Sequence, residues 1–282
     1  MPVVELTAGP IEYEDTGGDG APIVFLHGVL NDSSVWRHVV AELREQHRCV
    51  LPTLPTGSHR RPMKPDADLT MHAMVRLVAE FLERLDLRDV TLVANDWGGP
   101  QVMIHDGLDD RVGRLVLTSC EAFDNYPPGL PGKTLLLSAR MPGGLGVALQ
   151  SLRLRPLRRL PMTLGWMSKR VPHDVVDRWL APAQRDRAIR RDLRKYSLSP
   201  FTKDELRAWS ESLRGFDRPA LIVWGSEDRV MPPEHGRRLA ELLPDARLVE
   251  IPDSYVFIPE DQPAALTKAI REFVAERVAA RP

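Results

Sequence analysis

The sequence predicts an α/β protein with a mostly parallel sheet of about eight strands, flanked by helices and interrupted by a helical insertion. Three observations predict this class. Continuous apolar runs such as PIVFLHG (22–28) and VTLVAND (90–96) are typical of strands buried on both faces of a sheet. Segments of helical periodicity separate these runs, as in a parallel sheet covered on both faces. This alternation stops after residue 122 and resumes near residue 215.

The first third of the chain gives most of the predicted strands. VVELTA (3–8) and IEYED (11–15) alternate apolar and polar residues, which suits two half-exposed edge strands joined by a Gly-Pro turn. After the buried strand at 22–28, the predicted elements are a helix at 35–46, a strand at 48–55, a helix at 71–87, a strand at 90–96, a helix from residue 99 and a strand at 112–120.

The middle of the chain has a different character. No buried strand is predicted between residues 123 and 214, where prolines and glycines precede helical patterns. Residues 151–195 hold 13 Lys/Arg against 4 Asp/Glu, a net charge of +9. The alternation then resumes with a strand at 219–228, a helix at 234–243, a strand at 246–251 and a helix at 262–279. The predicted domains are therefore a sheet core of residues 1–122 and 215–282, and an insertion of residues 123–214.

Composition excludes several classes of protein. The net charge of −1 creates no overall attraction to nucleic acid. Cys49 and Cys120 make neither a disulfide framework nor a metal-ligand pattern, so we expect two buried thiols and no metal. No signal peptide or transmembrane stretch is visible, which predicts a cytoplasmic protein without an integral membrane segment. The positive charge of the insertion has two interpretations: solvated helix faces, or a surface for an anionic substrate, a partner protein or an anionic membrane.

The sharpest chemical motif is VANDWGGP (93–100). Its small residues around Asp96 fit a tight turn between a strand and a helix, which presents the central side chain before a helix N-terminus. A carboxylate there can attack carbon and form an ester without first losing a proton at neutral pH. The alternative is that Asp96 only caps the helix.

At this motif the chain resembles the α/β-hydrolase superfamily, and most of all its Asp-nucleophile branch of haloalkane and haloacetate dehalogenases and epoxide hydrolases. The resemblance implies an α/β-hydrolase fold whose 123–214 insertion is a cap over a small-molecule pocket, with no cofactor. It also implies a set of roles: Asp96 as nucleophile, His27 and Gly28 in the oxyanion loop, the N–H groups of Val29 and Trp97 as anion donors, Asp228 as the acid and Glu121 as the alternative acid.

Several positions depart from the family pattern. Val29 stands where haloalkane dehalogenases usually have Asn, and Leu30 where epoxide hydrolases usually have Pro. Epoxide hydrolases also use two cap tyrosines to protonate the opening ring. Tyr126 and Tyr196 lie in the insertion, but nothing in the sequence shows that they converge. With Tyr255, they are the candidates for contacts with substrate.

The largest departure lies in VEIPDSYVFIPEDQP (249–263). The family pattern Ile-Pro-Asp-x-Gly-His-Phe places its Gly-His pair on Tyr255 and Val256, so the histidine that activates water is missing. Either divergence or an engineered change explains this, and Tyr255 favours divergence because blocking histidine gives no reason to replace the neighbouring glycine.

Other residues are candidates for the missing base. His27 is read as a structural residue of its loop, whereas His59 and His235 follow strand ends, where sites in parallel sheets form. Asp228, Glu121 and Tyr255 are further candidates. The remaining histidines fall in or beside helices or in the insertion: His38, His47, His72, His105 and His173.

Three functions remain open from the sequence. The first is an enzyme in which Asp96 attacks a carbon bearing halide or epoxide oxygen, with slow hydrolysis of the ester. The second is a non-catalytic relative that binds a small molecule or a partner. The third is a lyase or cyclase that uses the same pocket without a triad.

Overall fold

Eight strands form one sheet in the computed structural model, which describes residues 1–278 and their side chains as far as residue 275. The order across the sheet is β1-β2-β4-β3-β5-β6-β7-β8. The strand β2 pairs antiparallel with β1 and β4, and the remaining pairs are parallel. The predicted fold class is confirmed. The strands are β1 Val3–Leu6, β2 Gly9–Asp15, β3 Ile23–Leu26, β4 Cys49–Pro52, β5 Val90–Asn95, β6 Val112–Thr118, β7 Ala220–Gly225 and β8 Ala246–Ile251.

The central strands are buried on both faces. Every residue of β3, β5 and β7 is buried, which explains why these segments are nearly continuous apolar runs. In the parallel register, Phe25 is paired with Val93, and Val93 with Val116. This register brings the carboxyl ends of β3, β5, β6 and β7 to the same edge of the sheet, where sites in open parallel sheets form.

Helices cover the sheet and fill the insertion. Their bounds are α1 Arg37–Leu43, α2 Met71–Arg84, α3 Gly99–His105, α4 Gly129–Arg140, α5 Gly144–Ser151, α6 His173–Arg185, α7 Arg187–Ser197, α8 Lys203–Glu211, α9 Pro233–Leu242, α10 Ile258–Asp261 and α11 Pro263–Val278. None of the helices within residues 1–278 is both long enough and apolar enough to cross a bilayer.

The predicted and observed helix bounds do not agree everywhere. The helix predicted at 35–46 begins with a 3-10 turn at Ser33–Trp36, because Asp32 accepts a hydrogen bond from the Ser34 N–H at 2.9 Å and starts the chain turning earlier. The helix predicted to end at Ala279 is described as far as Val278, and Ala279 itself lies outside the described residues.

The insertion between β6 and β7 holds helices and turns, with no strand among its described residues. Its helix α8 packs against α3 of the core. On α6, the Trp179 indole N–H donates to the Ser34 hydroxyl at 2.9 Å, and the Trp179 ring packs edge-on against Phe257. These contacts hold the insertion against the carboxyl edge of the sheet. Its division from the core at residues 123 and 214 stays a prediction.

Candidate active site

Asp96 occupies a sharp turn between β5 and α3. Its φ of 63° is left-handed, a strained conformation for any residue except glycine. The turn depends on small neighbours, because a Cβ on Gly99 would lie 2.2 Å from the Trp97 ring. In the loop after β3, a Cβ on Gly28 would lie 2.2 Å from Asp96 Oδ2. The local sequence therefore lets the backbone come close enough to hold the carboxylate between two loops.

The loop after β3 supplies a hydrogen-bond donor to this carboxylate. The Val29 N–H lies near Asp96 and lowers the pKa of its carboxyl, against the larger effect of burial. The loop itself is held by His27, whose Nδ1 bonds to the Gly28 carbonyl at 2.9 Å and whose Nε2 accepts from the Leu54 N–H at 2.8 Å. Burial lowers the pKa of His27 to about 4, so its ring is neutral. With both ring nitrogens engaged, His27 supports the loop.

A second carboxyl, Glu121, lies beside Asp96 just after the end of β6. Its Oε2 accepts a hydrogen bond from the Gly98 N–H at 3.4 Å. Burial raises the pKa of Glu121 to about 7. Burial, and then the charge of Glu121, raise the pKa of Asp96 well above its usual range. Two neighbouring buried carboxyls cannot both ionise freely, so the site holds a proton in mildly acidic solution.

The predicted acid, Asp228, follows β7. Its Oδ1 accepts hydrogen bonds from the N–H groups of Val230 and Met231, both at 2.8 Å. Its Oδ2 is buried and has no hydrogen-bond partner among the described residues. Burial raises the pKa of Asp228 to about 7. One oxygen is thus held by the backbone, while the other is without a donor among the described residues.

Val256 lies in the loop after β8, with its side chain fully buried. Its carbonyl accepts a hydrogen bond from Asn95 Nδ2 at 2.8 Å, which joins this loop directly to the turn around Asp96. The preceding N–H, from Tyr255, donates to Asp261 Oδ2 at 2.9 Å. The loop is therefore fixed by hydrogen bonds to its backbone on both sides of the Val256 side chain.

Asp96 and Glu121 face a pocket of about 330 Å³ between the sheet edge and the insertion. Most of its lining comes from leucine, methionine, valine and proline side chains, many of them on α4 and α5 and in the segment 152–164. An apolar cavity with few polar groups at one place suits a small molecule with an alkyl chain and one reactive centre.

Two of the three candidate tyrosines converge on this pocket. Tyr126 and Tyr196 both line it, although they are far apart in the sequence. The Tyr196 hydroxyl and the Trp97 indole N–H are buried and have no hydrogen-bond partner among the described residues. Burial, and then the charge of Glu121, raise the pKa of Tyr196 well above its usual range, and the Trp97 indole lies near its hydroxyl. A neutral phenol and an indole thus offer two free donors close to Asp96.

The third candidate, Tyr255, is placed elsewhere. It is not among the residues that line the pocket, and its ring lies 4.9 Å from Lys169 Nζ and 5.7 Å from Arg229 Cζ. These contacts with two cations explain the side chain as part of the loop surface rather than of the pocket.

None of the eight histidines, all within the described residues, lines the pocket. His59 Nε2 lies 3.2 Å from Asp192 Oδ2, and its Nδ1 accepts from the Gly57 N–H at 3.3 Å. The ring of His235 packs edge-on against Phe123 at 5.3 Å between centroids. Neither of these two candidate bases is placed where it reaches Asp96.

Sequence reasoning missed the position of Asn95. The motif spacing alone gives Asn95 no role. Its amide donates to the Val256 carbonyl and also to Thr118 Oγ1 at 2.9 Å, so it joins the ends of β5 and β6 to the loop after β8. A polar residue at the end of a continuous apolar strand was the available signal, because a buried amide needs partners.

Comparison with known proteins agrees with this geometry. Residues 21–263 match the family model for the alpha/beta hydrolase fold. The chain belongs to this family. It is 28% identical to the cis-3-alkyl-4-alkyloxetan-2-one decarboxylase of Xanthomonas campestris pv. campestris, over 94% of this chain and 92% of that protein. It is 29% identical to haloalkane dehalogenase 2 of Mycobacterium tuberculosis, over 94% of this chain and 91% of that one.

Solved structures show the same fold. The haloalkane dehalogenase DbeA from Bradyrhizobium elkani superposes with a TM-score of 0.77 at 20% identity, covering 99% of this chain and 98% of the other. A thermophilic esterase from Thermogutta terrifontis gives a TM-score of 0.73 at 23% identity, covering 98% and 99%.

Proposed function

We propose that this α/β-hydrolase family member is an enzyme in which Asp96 attacks an electrophilic carbon of an apolar small molecule. The observation that carries the proposal is the placement of Asp96, held in a strained left-handed turn at the wall of an apolar pocket of about 330 Å³. Backbone strain of this kind clusters at active sites. The carboxylate oxygen forms a bond to carbon, and the electrons of the broken bond leave with a halide or with a ring oxygen.

The leaving group has a site to receive it. Trp97 Nε1 and the Tyr196 hydroxyl are buried donors that lack partners, which costs free energy unless something accepts from them. An anion that develops beside Asp96 is such an acceptor. A halide needs only these hydrogen bonds, whereas an alkoxide from a ring also takes a proton. Besides Asp96, the acids that line the same pocket are Tyr126, Tyr196 and Glu121.

The ester that results is expected to be long-lived. Hydrolysis needs a group that takes a proton from water, and Val256 has none. Removing a general base typically slows a reaction by 10² to 10⁴-fold. Glu121, with a pKa raised to about 7, is the substitute base that we propose. It is a carboxylate above about pH 7, so slow hydrolysis should quicken as the pH rises through that value.

A lyase reaction is a second candidate. It is favoured because no histidine is among the residues that line the pocket, and by the similarity to oxetanone decarboxylases. An oxetan-2-one can break into an alkene and CO₂ with one C–O and one C–C bond cleaved. This reaction consumes no water and transfers no net proton. The lack of a water-activating base in the pocket would therefore not slow such a reaction.

Intact-mass measurement tests the proposal. The protein is incubated with 1-bromoalkanes, terminal epoxides and cis-3,4-dialkyl oxetan-2-ones of increasing chain length. We expect a covalent adduct from a bromoalkane or an epoxide, located on Asp96 by peptide mapping and absent in Asp96→Asn. Asp228→Asn is the matched control, since it also removes a buried carboxylate but should keep the adduct.

Each other result points to a different function. Release of alkene and CO₂ from the oxetanones, without an adduct from halides or epoxides, would favour the lyase. Saturable binding of an apolar ligand with neither adduct nor turnover across the panel would instead support a non-catalytic binding protein.

A further inference from the structure

The exposed apolar side chains are concentrated in one part of the insertion. Eight large apolar side chains are exposed in the described residues, and only Met1 lies outside the segment 130–162. The other seven are Leu130, Leu137, Met141, Val147, Leu154, Leu160 and Met162. Apolar surface gathered in this way marks a site of interaction more often than single exposed residues do.

The same segment carries only positive charge. Between Asp124 and Asp174 the sequence has eight Lys/Arg and no Asp or Glu. Four of these cations are exposed and make no ion pair with any residue that the structure describes: Lys133, Arg140, Arg153 and Arg159. We call these four cations and the seven exposed apolar residues the insertion patch. Its charge is unbalanced by any acid of the segment, so it favours an anionic partner.

Apolar and basic residues alternate on one helix face within the patch. On α4, Leu130, Lys133, Leu137 and Arg140 are exposed and follow one another at intervals of three, four and three residues. This spacing places them on one side of a helix. The aliphatic stems of Lys and Arg can lie along apolar material while their charged ends reach phosphate. This pattern fits the boundary between headgroups and acyl chains.

The pocket reaches the surface within this patch. Leu160 and Met162 are exposed and also line the pocket that holds Asp96. Other pocket-lining residues come from α4 and α5, whose outward side chains belong to the patch. An apolar molecule that leaves a bilayer at the patch would therefore meet the pocket without crossing water.

We propose that the insertion patch binds the surface of an anionic lipid bilayer, and that the pocket takes its apolar substrate from that bilayer. The binding surface stands independently of the proposed chemistry, and only the delivery of substrate rests on it. A bilayer fits better than nucleic acid because the cations are interleaved with aliphatic residues rather than with aromatic side chains on which bases stack. It fits better than an acidic protein because the patch joins a pocket for apolar molecules.

Vesicle sedimentation tests the binding surface. Sucrose-loaded vesicles of phosphatidylcholine alone are compared with vesicles in which about a third of the lipid is phosphatidylglycerol. We expect binding to the anionic vesicles that weakens with added salt, and at least tenfold weaker binding to the neutral ones. Each cation at an anionic surface contributes roughly fivefold to the partition coefficient. The variant K133Q/R140Q/R153Q/R159Q should therefore bind at least tenfold more weakly.

Two further variants separate the patch from general charge. R76Q/R84Q/R88Q/R237Q removes four exposed arginines from the core and is expected to bind as the unchanged protein does. L137S/V147S/L154S keeps every charge and should also bind at least tenfold more weakly. Equal loss in the core and patch charge variants, or no binding to anionic vesicles, would overturn the proposal. So would self-association through the patch, seen as a dimer by sedimentation velocity that L137S/V147S/L154S dissociates.

The proposed chemistry can fail without affecting this test. Asp96→Asn should bind vesicles as the unchanged protein does. For delivery, the patch variants should slow adduct formation from a long-chain bromoalkane held in vesicles, but not from a short water-soluble one. Equal slowing with both substrates would contradict delivery from the bilayer, while an absence of adduct with both would count against the proposed function alone.

Discussion

The turn around Asp96 and the loop around Val256 are joined by one side chain, Asn95, but they present different chemistry. The turn keeps a strained carboxylate, a backbone donor from Val29 and a free indole donor from Trp97. The loop is tied to the turn by its backbone and offers at Val256 a buried apolar side chain that cannot take a proton. For the function proposed above, the turn therefore carries the groups for attack on carbon, and Val256 gives the loop no group that activates water.

The difference teaches that the loop does not depend on an imidazole for its shape. The Phe257 N–H donates to the Met167 carbonyl at 2.8 Å, and the Tyr255 N–H donates to Asp261. Lys169 and Arg170 of the insertion both pair with Asp253 of the loop. Since these bonds all lie outside the Val256 side chain, the residue at this position can change while the backbone stays.

Val256→His should supply the base that the proposed hydrolysis lacks. By the resemblance to Asp-nucleophile hydrolases, we expect the imidazole to give Asp228 Oδ2 a donor and to take a proton from water. We expect hydrolysis of the Asp96 ester to quicken by about 10² to 10⁴-fold, measured as the decay of the adduct by intact mass. Val256→Asn is the matched control, because it is polar but cannot act as a base at neutral pH.

A double-mutant cycle sharpens this prediction. In the Val256→His protein, adding Asp228→Asn should remove most of the gain, because the imidazole loses its partner. In the protein with valine, Asp228→Asn alone should change the decay rate little. An equal effect of Asp228→Asn in both backgrounds would show that the new histidine does not work through Asp228.

Glu121→Gln should remove the substitute base. Since burial raises the pKa of Glu121 to about 7, the unchanged protein should lose its adduct faster as the pH rises through that value. The variant should show a flat profile and decay about a hundredfold more slowly at about pH 8.5. If the decay rate of the variant still rose with pH, another group would be the base. Equal rates of adduct formation in the unchanged protein and the variant would confine the effect to hydrolysis.

Some features of the candidate site could be predicted from the sequence and others could not. The turn around Asp96 was predicted because its evidence is local: a buried strand, Asp96 and two glycines stand next to one another. The approach of Tyr196 to Trp97 was not, because it depends on how α7 packs over the sheet edge. The predicted start of the helix at 35–46 was also misplaced, because the cap at Asp32 begins a 3-10 turn at Ser33 and the periodic pattern gives no sharp boundary there.

Asn95→Ala should weaken the link between the turn around Asp96 and the loop around Val256. The substitution leaves the Val256 carbonyl and Thr118 without the amide that donates to them. Loss of buried hydrogen bonds of this kind costs about 2 kcal/mol, which urea denaturation measures as a drop in the free energy of unfolding. Asn125→Ala is the matched control, because it removes a part-buried amide that donates to one carbonyl, Val230 O, and should cost about half as much. Equal losses in the two variants would show that Asn95 is no more than an ordinary buried amide.

Asp228→Asn tests the buried carboxyl whose Oδ2 has no hydrogen-bond partner among the described residues. Burial raises the pKa of Asp228 from 3.8 to about 7, so the folded protein holds a proton there that the unfolded chain releases. The stability that this proton contributes is complete below about pH 4 and is lost as the pH rises through about 7. From about pH 6 to about pH 8 this group should lower the free energy of unfolding by about 1.4 kcal/mol, and Asp228→Asn should remove that decline. Denaturation at several pH values measures it, with Glu121→Gln as a comparison that should remove a separate share of the slope. If the slope of the Asp228→Asn protein matched that of the unchanged protein, Asp228 would already be ionised in the folded state, and its free oxygen would need a donor other than the missing histidine.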